Sequence, residues 1–473
     1  MKKPPKKPIK KPKQVKPKQK YAKNYFNHLV AFVLLGLLAV VWSWVFFINA
    51  SEISPSEPLN IIFSIFVFLA NVSITAGVFF LAWRFFRKAI PNNKVLLLVK
   101  IALVWAAVEF LASFIVSIVW IGTDSSWDTV LPFASFTPIL MYTPLGYLAR
   151  LVGYHGLSAL FVLCISVLLI KKLRKFVLPV YCLIALLTFG AYTFYEDTSG
   201  ETVSVATTAE IKGEQRTIST ESEVLVLPEY GLDNLTEDEV DEKIVSSDNV
   251  YFIGSKQRPA NGRIYNSLVF GSTEEGFIKQ KDKSRLVPAG EYLPYVIEFP
   301  LKMFYATETL EYFESVRGTA KGQDDNTQPI YIRDEVVLGS AVCSSIISTK
   351  DYRQMTNRGA TLLTNSASLE IFDGSRIFSI QHKGMSRFMA VANARPLVQS
   401  SNDGDAYIID HNGDKLIQTA PVNTIEKSIQ TNTKLTPYTV LGEWLVVLGM
   451  IYIAGTFIKA LIINNQRFKH LKR

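Results

Sequence analysis

The chain has 473 residues, 49% of them hydrophobic, and a formal net charge of +9. This length leaves room for two or three domains of ordinary size. Almost all of the long apolar runs lie before residue 196 or after residue 437, which excludes a single soluble domain. The chain is therefore expected to combine membrane-spanning segments with one soluble domain between them.

The positive charge is concentrated in residues 1–24, which are rich in Lys and Pro and have almost no apolar surface to bury. Such a segment is expected to be disordered. Positive charge beside a first membrane helix orients it inward, so we interpret the segment as a cytoplasmic tail. A binding segment for anionic lipid or nucleic acid is the alternative, although we expect no nucleic-acid partner. The apolar run that follows is too long for a cleavable signal peptide.

Seven apolar segments are candidates for membrane crossings, each of which needs about 20 residues. They are residues 26–48, 60–86, 95–122, 131–148, 156–170, 176–195 and 439–463. The loops between them alternate between acidic and basic, and basic loops stay in the cytoplasm. The acidic pair Glu196 and Asp197 opens the soluble stretch, so this stretch is expected to lie outside the cytoplasm.

The segment 131–148 is expected not to cross the membrane. Asp128 is assigned to the outside and the basic loop 171–175 to the inside, which allows only an odd number of crossings between them. Two apolar segments lie there, and 131–148 is the weaker because it contains three prolines. Prolines free backbone groups that protein or water must satisfy at membrane depth. We interpret 131–148 as a re-entrant or interfacial segment.

The predicted organisation has a cytoplasmic tail, a transmembrane domain of about five crossings, a soluble domain, one more transmembrane helix and a second basic cytoplasmic tail. These are residues 1–24, 25–195, 196–437, 438–464 and 465–473. One acidic residue, Glu109, lies inside a predicted crossing. An ionisable group in lipid is costly and often functional. We favour a structural carboxyl hydrogen-bonded between helices, since nothing nearby suggests a transport path.

Cys343 has no cysteine partner in the soluble stretch, because Cys164 and Cys182 both lie in apolar membrane segments. There a thiol packs as a small hydrophobic group. An unpaired cysteine outside the cytoplasm is a liability unless its reactivity is used. Cys343 is therefore a candidate nucleophile.

Short β-rich runs alternate with helical patterns through the soluble stretch, which indicates an α/β domain. The predicted strands include residues 250–254, 266–271 and 361–364, and a helix is predicted over residues 235–246, where Thr236 and Glu239 have capping-box spacing. Glu229 follows one such run, Lys283 opens a polar loop, and Cys343 follows the run Val336–Val342. A carboxylate can take the proton of a thiol, and the thiolate attacks ester or amide carbonyls. A cation can stabilise the thiolate and the oxyanion that follows. Each residue alone also fits an inert role, as solvated strand end, surface charge and core thiol.

Glu, Lys and Cys in this order resemble the nitrilase superfamily of carbon–nitrogen hydrolases, and the membrane frame resembles its apolipoprotein N-acyltransferase family. The loop Leu286-Val-Pro-Ala-Gly-Glu291 is similar to the family's L-V-P-F-G-E. Further matches extend over roughly residues 95–460: Gly153-Tyr-His-Gly-Leu-Ser158, Gln381-His382, Ala394-Arg-Pro396, Ser401-Asn-Asp-Gly404, Ile408-Ile-Asp-His-Asn-Gly413 and Leu435-Thr-Pro-Tyr438. The chain departs from the family at Cys343-Ser-Ser345 (C-Y-E), Asn365–Glu370 (S-N-D-A-W-F-G) and Met389–Ala392 (R-A-x-E).

The resemblance implies an α-helical transmembrane bundle and an extracytoplasmic α-β-β-α sandwich, in a bacterial inner membrane. It implies Glu229 as general base, Lys283 as cation and Cys343 as nucleophile, with Glu291 supporting Lys283 and the backbone N–H of Ser344 as second oxyanion donor. A phospholipid would donate a fatty acyl chain through a Cys343 thioester to the N-terminal amine of a diacylglyceryl-cysteine lipoprotein. A monomer without metal or cofactor is expected.

Two questions stay open at this level. The departures near the pocket leave a membrane-anchored amidase or acyltransferase for another amine as one alternative, and a weakly active lipoprotein-binding homologue as another. The apolar stretch 292–305 either packs on the soluble domain or dips into the lipid surface. We favour a lipid gate formed by Phe299, Phe304 and Tyr305.

Overall fold

The computed structural model describes residues 53–88, 93–122, 135–196, 200–210, 216–233, 235–236, 239–288, 290–370, 376–419 and 423–471. The predicted tail 1–24, the apolar segment 26–48 and the acidic loop residues Asp124 and Asp128 lie outside the described residues. The N-terminal described part is helical, and the part from residue 200 onward holds the sheet.

Four helical spans in the described part are long and apolar enough to cross a membrane by length and composition: Glu57–Ala82, Lys94–Ile121, Pro144–Leu169 and Arg174–Thr193. The helices that form them are α1 (Glu57–Lys88), α2 (Lys94–Ile121), α4 (Ala149–Leu169) and α5 (Val177–Thr193). Near the C-terminus, α11 (Pro437–Leu441) leads into α12 (Trp444–Leu471), whose apolar stretch Trp444–Lys459 is shorter.

The segment predicted as re-entrant forms two short helical pieces, α3 (Thr137–Leu140) and a 3-10 helix Pro144–Leu148 that leads into α4. Helix α4 thus begins before the predicted start at residue 156. It is interrupted at Gly153, whose φ of 74° lies in the left-handed region that suits glycine. The amides of Tyr154 and His155 after this break donate to the Glu443 carboxylate at 2.8 and 3.2 Å, which ties α4 to the start of α12.

Glu109 is fully buried among α2 and α4. Its carboxylate contacts the His155 Nδ1 atom at 3.0 Å and accepts a 3.0 Å hydrogen bond from the Trp105 indole and another from the Ser158 hydroxyl. The carboxyl is hydrogen-bonded between helices, as the structural interpretation predicted.

The described residues of the soluble part form a twelve-stranded sheet in the order β7-β6-β5-β3-β1-β11-β10-β9-β8, with β14 beside β1 and β12-β13 beside β11. The strands are β1 (Thr202–Glu210), β3 (Val224–Val226), β5 (Tyr251–Ala260), β6 (Arg263–Ser272), β7 (Gly276–Asp282), β8 (Ile330–Arg333), β9 (Val336–Val342), β10 (Leu362–Ser368), β11 (Leu397–Asn402), β12 (Ala406–Ile409), β13 (Lys415–Thr419) and β14 (Asn423–Gln430). β2 (Ile218–Ser219) and β4 (Ile244–Val245) form a separate pair.

Helices α6 (Val240–Lys243), α7 (Tyr295–Met303), α8 (Thr307–Arg317), α9 (Thr349–Asn357) and α10 (Arg376–Asn393) accompany the sheet. The helix predicted over residues 235–246 was too long. The Thr236 amide and hydroxyl do donate to Glu239, as a capping box requires. The β-branched pair Ile244 and Val245, however, joins strand β2 instead of continuing the helix.

One apolar core joins the membrane helices to the soluble part. Tyr154 of α4 meets Phe388 of α10 edge-to-face, with ring centroids 5.2 Å apart. The buried Arg150 guanidinium donates to the carbonyls of Ala191 and His411 at 2.8 Å, and so links α5 to the loop after β12. The soluble part is therefore packed directly on the helices.

Candidate active site

The three predicted site residues follow three strands that point the same way. Strand β9 is parallel to β10, and the parallel series continues through β11, β1 and β3 to β5. Strand β7 is antiparallel to β6, which is antiparallel to β5, so β7 also shares their direction. The carboxyl ends of parallel strands meet at one edge of a sheet. Glu229, Lys283 and Cys343 are therefore brought together there.

A buried ion cluster stands at this edge. The ammonium of Lys283 lies 3.0 Å from Oε1 of Glu229 and 2.9 Å from Oε2 of Glu291. All three side chains are at least nine-tenths buried. Charges removed from water must be paired and hydrogen-bonded to be tolerated. One ammonium shared between two carboxylates leaves a net charge of −1, which backbone and amide donors compensate.

Those donors come from residues that the sequence reasoning had not singled out. The Asn266 amide donates to Glu229 at 2.6 Å and to Glu291 at 3.2 Å. The backbone N–H of Ser368 donates to the second oxygen of Glu229 at 3.0 Å, and that of Val287 donates to Glu291 at 2.7 Å. The available signal was Asn266 itself, a polar residue that opens the apolar run of a strand and is buried there.

Cys343 lies directly after β9, at the first position of a 3-10 turn (Cys343–Ile347). Its φ of 46° is in the left-handed region, which costs a residue other than glycine of order 1–3 kcal/mol. Its thiol is buried and donates a hydrogen bond to the carbonyl of Ser368 at 3.6 Å. The strained turn thus holds the thiol at the sheet edge that also carries Glu229, the predicted general base.

The environment raises the pKa of both the Cys343 thiol and the Lys283 ammonium, for different reasons. Burial raises the pKa of the Cys343 thiol well above its ordinary value, and the Glu229 charge raises it further, while Lys283 lowers it. Burial alone would lower the pKa of Lys283, but the Glu229 and Glu291 carboxylates outweigh burial and raise it above its ordinary range. At neutral pH the cysteine is therefore a neutral thiol beside a charged ammonium.

Ser344 is partly buried, and its hydroxyl donates to the carbonyl of Arg285 at 2.8 Å. Its role as a backbone oxyanion donor stays a prediction. In the described part of the chain no group of three or more His, Cys, Asp or Glu residues could hold a metal ion.

The predicted lipid gate lies on α7 and just after it. Phe299, Phe304 and Tyr305 are 53%, 74% and 87% exposed. Helix α7 packs on α1 and α2, and a groove of about 410 Å³ between them is lined by the apolar residues Phe66, Ile118, Val119, Tyr295, Val296, Phe299, Pro300 and Met303. The stretch therefore both packs on the helices and leaves aromatic rings exposed, and gating stays a prediction.

Residues 247–431 match the family model of the carbon–nitrogen hydrolases. The match includes Lys283, Glu291 and Cys343, whereas Glu229 precedes it. The C-terminal half of the chain contains a carbon–nitrogen hydrolase domain. The predicted fold class, membrane-type helices followed by this α/β domain, is confirmed.

The chain is similar to apolipoprotein N-acyltransferases, which confirms the resemblance. The enzyme from Vibrio vulnificus is 26% identical over 202 residues, which cover 40% of this chain and 38% of the relative. The enzyme from Haemophilus influenzae is 27% identical over 195 residues (40% and 35%), and that from Mycolicibacterium smegmatis is 26% identical over 213 residues (44% and 34%). The matched part of the chain thus spans less than half the length of these relatives.

Solved structures of the superfamily align with lower similarity. A carbon–nitrogen hydrolase superfamily protein from Xanthomonas campestris has a TM-score of 0.34 at 12% identity, covering 49% of this chain and 91% of its own. An amidase from Nesterenkonia has the same TM-score and identity, covering 50% and 93%.

Proposed function

We propose that the protein is a membrane acyltransferase that N-acylates lipoproteins by way of a thioester on Cys343. The observation that carries this proposal is the buried cluster of Glu229, Lys283, Glu291 and Cys343 at one sheet edge, in a domain packed on helices long enough to cross a membrane. The names of the curated relatives support lipoprotein N-acylation. The donor, the acceptor and the thioester are our inference.

In the first half-reaction, the Cys343 sulfur attacks the ester carbonyl carbon of a phospholipid. The raised pKa of the thiol keeps it protonated at rest, so its proton has to leave during attack, and Glu229 accepts it. The carbon–oxygen bond of the ester then breaks, and Glu229 returns the proton to the departing lysophospholipid oxygen. A thioester on Cys343 and a lysophospholipid result, with the charge of the cluster unchanged.

Lys283 carries the charge stabilisation of this step. Its ammonium stays protonated because its pKa is raised, and the negative charge that develops on the carbonyl oxygen needs a fixed cation or N–H donors. The backbone N–H of Ser344 is the second donor in this proposal. Glu291 accepts a hydrogen bond from the ammonium at 2.9 Å. The ammonium therefore keeps its position when Glu229 takes up the proton and loses its charge.

In the second half-reaction, the free N-terminal amine of a diacylglyceryl-cysteine lipoprotein attacks the thioester carbonyl. Glu229 takes a proton from the amine, the carbon–sulfur bond breaks, and the sulfur recovers a proton as a thiol. The product is an amide. Both substrates are anchored in lipid, which supports a site at the membrane surface, with the aromatic gate of Phe299, Phe304 and Tyr305 facing the acyl chains.

We further infer that the soluble domain faces the outside of a bacterial inner membrane and that the protein acts as a monomer. The charge alternation of the loops supports this orientation. A different amine acceptor is the main alternative, because the positions after the cysteine are Ser344 and Ser345 and differ from the C-Y-E of the related family. A lipoprotein-binding homologue with little activity is the other.

The test is acyl transfer in a defined system. The purified protein in phosphatidylethanolamine vesicles is incubated with a synthetic diacylglyceryl-cysteine peptide, and the peptide mass is followed. We expect the mass to increase by one acyl chain only when the N-terminal amine is free. A peptide with an acetylated N-terminus is the control. A thioester-forming protein that acylates other amines but never this peptide would overturn the acceptor assignment. A protein that binds the peptide without any acyl product would favour the binding homologue.

A further inference from the structure

Lys283 and Cys343 have to be held at a fixed distance, yet the strands that precede them, β7 and β9, are not neighbours in the described sheet. Strand β7 precedes Lys283 and strand β9 precedes Cys343, and six other strands lie between them in the sheet order. Glu291 holds the ammonium but belongs to the same loop as Lys283, so it cannot fix that loop relative to the cysteine. Glu229 binds the ammonium at 3.0 Å, and a further contact joins the loop 283–291 to the segment that follows Cys343.

Arg285 makes two such contacts. Its guanidinium binds the Asp351 carboxylate through two hydrogen bonds, Nε to Oδ2 at 2.5 Å and an NH2 nitrogen to Oδ1 at 3.0 Å. Its backbone carbonyl accepts the Ser344 hydroxyl at 2.8 Å. Arg285 is two residues from Lys283 and Ser344 is next to Cys343, so these contacts act directly on the two reacting positions. We call this set the Arg285 bridge.

Asp351, which accepts the two hydrogen bonds of the guanidinium, is held in place by its own contacts. Asp351 is buried in the first turn of α9, and its backbone N–H donates to the side chain of the capping residue Ser348 at 3.3 Å. A carboxylate at a helix N-terminus is also favoured by the helix dipole. Bidentate arginine–carboxylate pairs fix geometry as well as charge. The guanidinium is 17% and the carboxylate 9% exposed, so water screens this pair little.

We propose that Arg285 is a positioning residue, which through Asp351 and Ser344 sets the distance between the Lys283 ammonium and the Cys343 sulfur. The inference rests on the proposed acyl transfer at Cys343 only for its biological role, since the positioning itself can be measured on the free thiol. In this proposal the Ser344 hydroxyl also has a role, because it ties the residue after Cys343 to the Arg285 carbonyl, while the Ser344 backbone N–H is the proposed oxyanion donor.

The consequence is a change in thiol reactivity with a defined sign. Lys283 lowers the pKa of the thiol, against burial and Glu229, which raise it. If the bridge is broken and the loop moves away, the thiol pKa rises further and the thiolate fraction at a given pH falls. At a given pH below the thiol pKa, each unit by which this pKa rises reduces the thiolate fraction about tenfold. Mere loosening of the structure would have the opposite effect, because a buried thiol that becomes exposed reacts faster.

The experiment measures iodoacetamide alkylation of Cys343 from pH 7 to pH 10 in the full-length protein, read on the peptide that contains this residue. We expect Arg285→Gln and Asp351→Asn each to slow alkylation roughly tenfold at every pH. The double variant should be no slower than either single one, because both remove the same contact. Ser344→Ala, which keeps the ion pair, should slow it less. The exposed pair Arg358–Asp325, at 2.7 Å, supplies the control Arg358→Gln, which should not change the rate.

Unchanged or faster alkylation in the bridge variants, or additive losses in the double variant, would overturn the proposal. Should Asp351→Asn fail to fold, Arg285→Gln and Ser344→Ala still decide the question. Acyl-adduct formation is measured in parallel. A wild-type protein that never forms an adduct while the alkylation pattern holds would refute the proposed function and leave the bridge intact. A normal adduct with unchanged alkylation in every variant would refute the bridge alone.

Discussion

Replacing Lys283 by methionine removes the positive charge that lies between Glu229 and Glu291, while it keeps most of the side-chain volume. The ammonium lies about 3 Å from each carboxylate, so each attraction is worth roughly 5 kcal/mol at an effective dielectric constant of about 20. Part of this is offset by the cost of burying the charges. Breaking a buried pair on one side typically costs about 3–5 kcal/mol. For a domain of this size we expect the melting temperature to fall by roughly 6–20 °C.

Acyl-enzyme formation should fall further than stability alone would require. Loss of one oxyanion donor typically reduces a rate by about 10²–10³. Without Lys283 the thiol pKa is also raised further, because the ammonium lowers it in the wild type. The double variant Lys283→Met/Glu291→Gln restores the net charge of the cluster and should recover part of the melting temperature but none of the rate.

Thermal unfolding and mass spectrometry of the acyl-enzyme measure the two effects separately. The matched control is Lys281→Met, which changes a buried lysine two positions earlier, on β7, whose ammonium binds the carbonyl of Gln328. Burial lowers the pKa of Lys281 to about 8. This control should form the acyl-enzyme at the wild-type rate. A Lys283→Met protein that unfolds at the wild-type temperature and acylates at the wild-type rate would refute the reasoning.

Three further predictions address the base, the gate and the topology. Glu229→Gln should slow thioester formation by orders of magnitude without stopping phospholipid binding, and an unchanged rate would remove the general-base role. Replacing Phe299, Phe304 and Tyr305 together by Ser should reduce transfer from bilayer phospholipid far more than transfer from a short-chain soluble ester; equal losses would mean that the stretch only supports the pocket. A single cysteine placed in loop 171–175 should be protected from an impermeant thiol reagent until cells are opened, and labelling of intact cells would reverse the proposed orientation.

The strand ends that carry the site could be found from the sequence, because each apolar run stops where a polar residue meets the sheet edge. The lengths of the strands could not be predicted from the sequence. Strand β10 was expected at residues 361–364 but extends through Asn365 and Ser366 to Ser368. These polar residues are buried, and the Asn365 amide donates to Gln399 at 2.8 Å. Hydropathy ends a strand at such residues, although their pairing with β9 and β11 continues.

The hairpin of β5 and β6 was also underestimated. Its outer part, around the turn at Asn261 and Gly262, is partly exposed and carries the polar run Lys256-Gln-Arg258, so apolar runs mark only its buried half. Asn261 and Gly262 both have positive φ, as a tight hairpin turn requires. The turn residues contained the missing signal.

The contacts that organise the site were not readable from the sequence at all. Asn266 and Glu229 are 37 positions apart, and Arg285 and Asp351 are 66 apart. Pairs at such separations follow from strand order, which hydrophobic periodicity does not encode. The resemblance to a known family supplied Glu291 and Lys283, but it did not point to the Arg285 bridge.

The central claim is that Cys343 carries an acyl group. The most direct measurement is mass spectrometry of the purified full-length protein after incubation with phospholipid vesicles of one defined acyl chain. We expect an adduct of that acyl mass on the peptide that contains Cys343, released by neutral hydroxylamine and absent from Cys343→Ala. An unmodified Cys343 in a protein that still transfers acyl chains, or an adduct that persists in Cys343→Ala, would contradict the account.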